Sequence, residues 1–265
     1  MAAFAANSVL ARLALATTAI DAGTFTAVRV VAGAVALLAL VGARRQRVGG
    51  SWGSAAALVA YAGFFSVAYL SLPTGAGALL LFGAVQLTMV GWGVATGERP
   101  SGPAWLGIAL AFGGLVGLVA PGLTAPPLAP AFAMVASGAA WGAYSLRGRG
   151  SAAPTADTAG NFARAAPLAL AGAAGWAALG PGVSADGPGL AYAVASGALT
   201  SGLGYALWYR VLPALRAATA ATVQLSVPVL AALGGLALVG EPVTVRLAVA
   251  GATTLGGIAL VVRAR

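Results

Sequence analysis

The 265-residue sequence holds no cysteine, no histidine and no lysine, and only five acidic residues. Each gap excludes something. Without cysteine there is no disulfide framework. Without cysteine and histidine together, a zinc or haem site lacks its usual ligands. A Walker-type phosphate loop is also missing, which excludes ATP drive by that means within the chain. Charge is the scarcest property: 7% of residues carry it, against about a quarter in a soluble domain. Too little polar surface remains to face water, so lipid is the solvent for most of this chain.

What is present is apolar: 60% hydrophobic residues and a mean hydropathy of +0.94. All 14 basic residues are arginine. The isoelectric point near 11.3 would suit nucleic acid. Most of the arginines, however, sit in or beside short loops between apolar runs, where they orient a membrane protein. No nucleic-acid partner is expected. The stretch from Met1 to Ala19 has no basic region ahead of its apolar run, so it reads as a first span rather than a secretory signal.

Ten apolar segments of spanning length can be drawn, at 2–18, 23–42, 53–71, 74–96, 102–120, 129–147, 161–179, 188–209, 214–239 and 244–262. Proline and glycine punctuate the breaks, as in Pro73-Thr74-Gly75 and Gly187-Pro188-Gly189. With the N-terminus inside, the inner loops hold Arg44, Arg45, Arg47, Arg99, Arg147, Arg149, Arg164, Arg210, Arg216, Arg263 and Arg265, and the outer ones Arg246 alone. That asymmetry places both termini in the cytoplasm.

The chain repeats itself. Tyr205 matches Phe65, Tyr209 matches Tyr69 and Leu212-Pro213 matches Leu72-Pro73, all 140 positions on. Gly240-Glu241 matches Gly97-Glu98, and Leu255-Gly256-Gly257-Ile258 matches Phe112-Gly113-Gly114-Leu115, 143 positions on. One unit was duplicated. Five spans per copy force the second copy in upside down. The expected fold is an all-α integral membrane protein of ten transmembrane helices in two inverted five-helix repeats, 1–122 and 128–265. That is an architecture of secondary transporters, with the binding site near the bilayer midplane.

The pattern resembles the EamA type of the drug/metabolite transporter superfamily. Asn7 and Arg12 fit its Asn-x4-basic signature in span one, and Arg29 its arginine in span two. Gly97-Glu98 and Gly240-Glu241 fit its Gly-Glu turns, Gly107 to Gly114 its Gly-x5-Gly-Gly, and Trp141-Gly142-Ala143-Tyr144-Ser145 the start of its second copy. The resemblance implies ten helices, no soluble domain and transport of small organic metabolites, often outward. It fixes no substrate.

Several residues are candidates for contact with a substrate. An arginine in a span normally faces a cavity or a partner. Arg12, with Asn7 on its helix, is read toward the cavity, where it would attract a carboxylate or phosphate. For Arg29, pairing with Asp21 or snorkelling to the outer interface competes with a cavity role. Tyr61, Phe65 and Tyr69 share one face of span three, Tyr205, Trp208 and Tyr209 one face of span eight, and Trp141 and Tyr144 lie three apart on span six. These sets either face lipid or wall a cavity; Trp52, Trp92 and Trp176 are read as interfacial. Gln86 and Gln224, in near-identical surroundings, either glue helices or line the cavity. Glu98 and Glu241 read as caps of the helices that follow them. Asp21, Asp157 and Asp186 fall in turns, so no carboxylate is expected near the midplane, which argues against proton coupling through one. Glycines spaced by four, as at Gly138 and Gly142, suit helix packing within the chain or a homodimer.

The sequence is thus read as a transporter in the inner or plasma membrane, not an enzyme, with no cofactor. Its partners are a small-molecule substrate and the lipid bilayer, and spans one, three, four, six, eight and nine line its cavity. Amino acids come first as substrates, organic cations and drugs second. An intramembrane lipid-modifying enzyme lacks the residues for a catalytic set.

Overall fold

Inside hydrocarbon every backbone N–H and C=O needs a partner within the protein, and an α-helix supplies them all locally. The computed structural model, described over residues 1–122, 125–180, 182–211 and 223–264, follows that rule, with no strand among these residues. Its helices are α1 (Ala2–Thr17), α2 (Ala22–Ala43), α3 (Trp52–Tyr69), α4 (Thr74–Ala95), α5 (Gly102–Val119), α6 (Leu128–Arg147) and α7 (Pro154–Leu179). Then α8 (Gly187–Ala195) passes through a π-helical stretch, π1 (Ser196–Leu203), into α9 (Gly204–Val211). Finally α10 (Ser226–Gly234) runs into π2 (Gly235–Val239), and α11 (Val245–Arg263) closes the chain.

Seven helical runs among the described residues are long and apolar enough to cross a bilayer: α2, α3, α4, α5, α7, Gly187–Trp208 and α11. The run Ala2–Thr17 and the run Ser226–Val239 are apolar but shorter. The protein is a multi-pass membrane protein, and its outer surface is built for lipid: Trp105, Phe112, Phe132, Leu170 and Leu207 are all more than half exposed.

One boundary and one helix type depart from the sequence reading. The seventh helix begins at Pro154 rather than 161, because proline suits the first helical turn and Asp157 follows within it. The eighth segment is not uniformly α. Gly197 brings π1 against α2 so closely that a Cβ there would lie 2.1 Å from Arg29 O. The Leu212-Pro213 match, Arg216 and Arg265 lie outside the described residues, as do the side chains of Tyr209 and Arg210.

The helices pack in reciprocal pairs. α5 lies along α11, α2 along α7, α3 and α4 against α6, and α1 against α8, π1 and α10. The loop before α3 docks on α7, where Gly50 N donates to Asp157 Oδ1 (3.1 Å) and Ser51 N to Asn161 Oδ1 (2.8 Å). The loop before α8 docks on α2 in the same manner, with Ser184 N donating to Asp21 Oδ2 (3.0 Å). Glycines serve this packing: Gly138 meets Ala84 and the Leu81 carbonyl of α4, and Gly142 meets Thr88. Trp176 is not an isolated interfacial ring; it packs on Gly23 of α2.

Candidate functional site

Between these helices lies a cavity of about 610 Å³. One end is polar and buried: Asn7 and Ser8 of α1, Tyr61 of α3, and Thr200 and Ser201 of π1. The wall is aromatic, with Phe4, Trp141, Tyr205 and Trp208. The mouth lies beside Glu98, Ser145 and Arg149, where Glu98 and Arg149 are exposed. Gln86 and Gln224 line the flanks.

The polar end is held by a hydrogen-bond chain. Ser196 Oγ donates to Asn7 Oδ1 at 2.6 Å, and Thr200 Oγ1 lies 3.1 Å from the same oxygen. That turns the amide so that Asn7 Nδ2 donates to Tyr61 Oη at 3.2 Å. Arg29 Nη2 donates to Tyr61 Oη as well, at 2.8 Å. The chain spans α1, α2, α3 and π1. A wide π turn is a frequent device at functional sites; here it carries the serine and threonine that orient Asn7.

Trp141 is the hub of the aromatic wall. Its ring stacks on Tyr205 (5.1 Å between centroids, 23°) and on Tyr144 (5.2 Å, 20°), and tilts against Tyr61 (4.9 Å). Phe4 completes the wall beside Tyr205 and Trp208. Ring faces of this kind bind flat or apolar solutes and the positive ends of others.

Arg12, Thr74 and Glu241 do not line the cavity but are joined to one another. Glu241 Oε1 accepts from Arg12 Nε at 2.7 Å, and Glu241 Oε2 accepts from the backbone N of Thr74 at 2.6 Å. The two Gly-Glu turns share a left-handed glycine, φ +102° at Gly97 and +76° at Gly240, a conformation glycine adopts without strain.

The sequence model of the EamA-like transporter family matches residues 128–263, just over half of the chain. The chain belongs to the EamA-like transporter family, within the drug/metabolite transporter superfamily. A relative from Pseudomonas aeruginosa, the uncharacterized protein PA1977, is 55% identical over 245 residues, covering 91% of this chain and 84% of its own. A protein of known crystal structure matches with a TM-score of 0.66 over 98% of this chain and 96% of that one. At 22% identity, that likeness concerns the fold alone.

Among the residues singled out in this EamA-family sequence, Asn7, Gln86, Trp141, Tyr205, Trp208 and Gln224 line the cavity. Arg12, Phe65, Tyr69 and Tyr144 do not. Arg12 is taken by Glu241 and by the carbonyls of Tyr69 and Leu70 (3.0 and 3.1 Å), which lie at the C-terminal end of α3. Phe65 and Tyr69 are fully buried, packed edge to face at 4.7 Å, and Tyr69 presses on Gly77 of α4. Tyr144 lies behind Trp141, where Asn161 Nδ2 donates to its hydroxyl at 3.3 Å. Arg29 pairs with Tyr61 rather than with Asp21, which caps its own helix through Thr24. Nor does either glutamate cap the helix that follows it: Ser101 and Thr244 hold those positions. Glu241 caps α4 instead, far away in sequence. Ser196, Thr200 and Ser201 were missed; a run of small polar residues beside glycines in span eight was the available signal.

Proposed function

We propose that this EamA-family protein is a secondary transporter that exports small organic metabolites, amino acids foremost, by alternating access. In this reading ten transmembrane helices form two five-helix halves, 1–122 and 128–265, inserted with opposite orientation in the inner or plasma membrane. Both termini are cytoplasmic. The reciprocal packing supports it. Exchanging each span with its counterpart in the other copy leaves the α2–α7 and α5–α11 pairs unchanged and swaps α3–α6 with α1–α8.

The α5–α11 crossing supports it residue by residue. Gly114 meets Ala250 and Thr254, while Gly257 meets Gly107 and Ala111. By the 143-residue offset these contacts are counterparts of each other. Thr254 Oγ1 donates to the carbonyl of its own counterpart, Ala111, at 3.4 Å.

The observation that carries the function is the cavity itself. Its lining reaches exposed Glu98, past the C-terminal end of α4, while Glu241 holds Thr74 at the other end of the same helix, a contact we read as the closed gate. A second reading, efflux of organic cations or drugs, draws on the stacked faces of Trp141 and the carboxylate of Glu98 at the mouth.

Counterflow in proteoliposomes with labelled amino acids and amines, with and without a pH gradient, tests both. Movement of amino acids is expected; movement of aromatic cations alone selects the second reading. Single cysteines at Glu98 and Glu241 test the arrangement, since labelling from the same face of the membrane removes the basis for inverted halves.

A further inference from the structure

The polar end of the cavity holds hydrogen-bonding capacity that the protein leaves unspent. Tyr61 Oη accepts from both Arg29 and Asn7. A phenol carries one proton, and with both acceptor positions engaged that proton remains to be donated. Tyr61 lines the cavity, so the cavity is where it can go. Ser201 Oγ, on a residue 2% exposed that also lines the cavity, has no hydrogen-bond partner.

Behind these hydroxyls lies an uncompensated charge. Arg29 is 2% exposed, and its Nη1 has no partner. No carboxylate among the described residues pairs with it; the one salt bridge found there joins Arg12 to Glu241. Its guanidinium lies 4.5 Å from the Phe65 ring centroid and 5.1 Å from that of Tyr61. Ring faces of this kind offset only part of the cost of a buried cation. A cation held in this way favours an anion nearby. Its hydrogen bond to Tyr61 also makes that hydroxyl a stronger donor.

We propose that this end of the cavity is a receptor for one carboxylate group of the substrate. The hydroxyls of Tyr61 and Ser201 donate to it, and Arg29 acts through Tyr61 to supply the charge. The proposal rests on the transporter reading and names the group by which substrate is recognised. Arg12 cannot serve, because its Nε and Nη1 are committed to Glu241 and to the end of α3. Arg29 is a positioning residue here, and Tyr61 the contact.

The test compares matched acids and amides: L-phenylalanine with L-phenylalaninamide, L-leucine with L-leucinamide, and hydrocinnamate with its amide. Binding to the purified protein in nanodiscs is read from tryptophan fluorescence, since Trp141 and Trp208 face the cavity. Wild type is expected to prefer the acids at least tenfold. A hydrogen bond to a charged group corresponds to about ten- to a hundredfold in affinity, so Tyr61→Phe and Arg29→Gln should each cut that preference about tenfold. Arg29→Lys should keep part of it. Phe4→Leu should weaken both members of a pair equally, leaving the ratio unchanged. A merely structural role for Arg29 would not move the ratio. Should Arg29→Gln fail to fold, the isosteric Tyr61→Phe and Arg29→Lys still decide the matter. Equal binding of acids and amides by wild type, or an undiminished preference in Tyr61→Phe, overturns the receptor but leaves transport standing. Binding of no acid overturns it too, and counterflow of amines then shows whether transport survives.

Discussion

Arg12 Nε and Glu241 Oε1 meet at 2.7 Å across 229 residues of sequence, and both side chains are largely buried. The other oxygen of Glu241 accepts from Thr74 N, so this one carboxylate also satisfies an orphan donor at the N-terminus of α4. Arg12 in turn reaches two carbonyls at the C-terminal end of α3. Four elements, α1, α3, α4 and the turn after π2, are thereby tied together. If this tie closes the cavity, Glu241→Gln should open it. The chain has no native cysteine, so a single cysteine at Ser8, which lines the cavity and is 1% exposed, can report. Labelling by an impermeant maleimide from the Glu241 side should rise about tenfold in Glu241→Gln, the effect of losing one charge-assisted bond of 1–2 kcal/mol. Unchanged labelling would show that something else holds that end shut. Arg12→Gln should slow transport of anions and cations alike, since Arg12 does not touch the cavity.

Much of this was legible in the sequence because apolar runs, proline breaks and repeats are local signals. The helices α1 to α6 start and stop within a few residues of the drawn segments, and six of the ten proposed contact residues do line the cavity. The rest depended on partners far away in the chain. Nothing near Arg12 announces Glu241, and nothing near Glu241 announces the start of α4. Spacing by four correctly puts Tyr61, Phe65 and Tyr69 on one helical face. It cannot tell that the cavity ends at Tyr61, so that the next two rings pack against protein. The π-helical turn at Ser196 to Leu203 was equally hidden, and so was the close approach of its Gly197 to the backbone of α2, a contact between segments far apart in the chain.

The α5–α11 contact yields a prediction from two adjacent glycines. A Cβ at Gly257 would lie 2.5 Å from Ala111 N and from Gly107 O, and those are backbone atoms that cannot step aside. A Cβ at Gly256 would meet nothing within 4 Å. Gly257→Val should therefore destabilise the protein by about 1–3 kcal/mol, the usual cost of overpacking. Gly256→Ala should be neutral or stabilise by roughly 0.5–1 kcal/mol, as expected where alanine replaces glycine in a helix. Thermal melting in detergent distinguishes the two. Equal effects would mean that the helices are not in close contact there.

Asp21 supplies a pH-dependent term outside the spans. Burial alone would raise the pKa of this carboxyl, but hydrogen bonds from Thr24 Oγ1 (2.6 Å), Ser184 N and Thr24 N outweigh it and hold the group below its ordinary value of 3.8. A carboxylate with a depressed folded-state pKa stabilises the protein at pH values above its unfolded pKa, and that stability is lost as pH falls through the folded value. Asp21→Ala should therefore cost about 1 kcal/mol near neutral pH, the typical loss on removing an N-cap. The gap from wild type should narrow as pH falls below about 4. Asp21→Asn should retain most of the cap while removing the titration, giving a flatter acid limb than wild type. Melting curves of the three proteins between neutral and acid pH provide the check. A gap between wild type and Asp21→Ala that stays constant through that range would mean that Asp21 contributes its oxygens but not its charge.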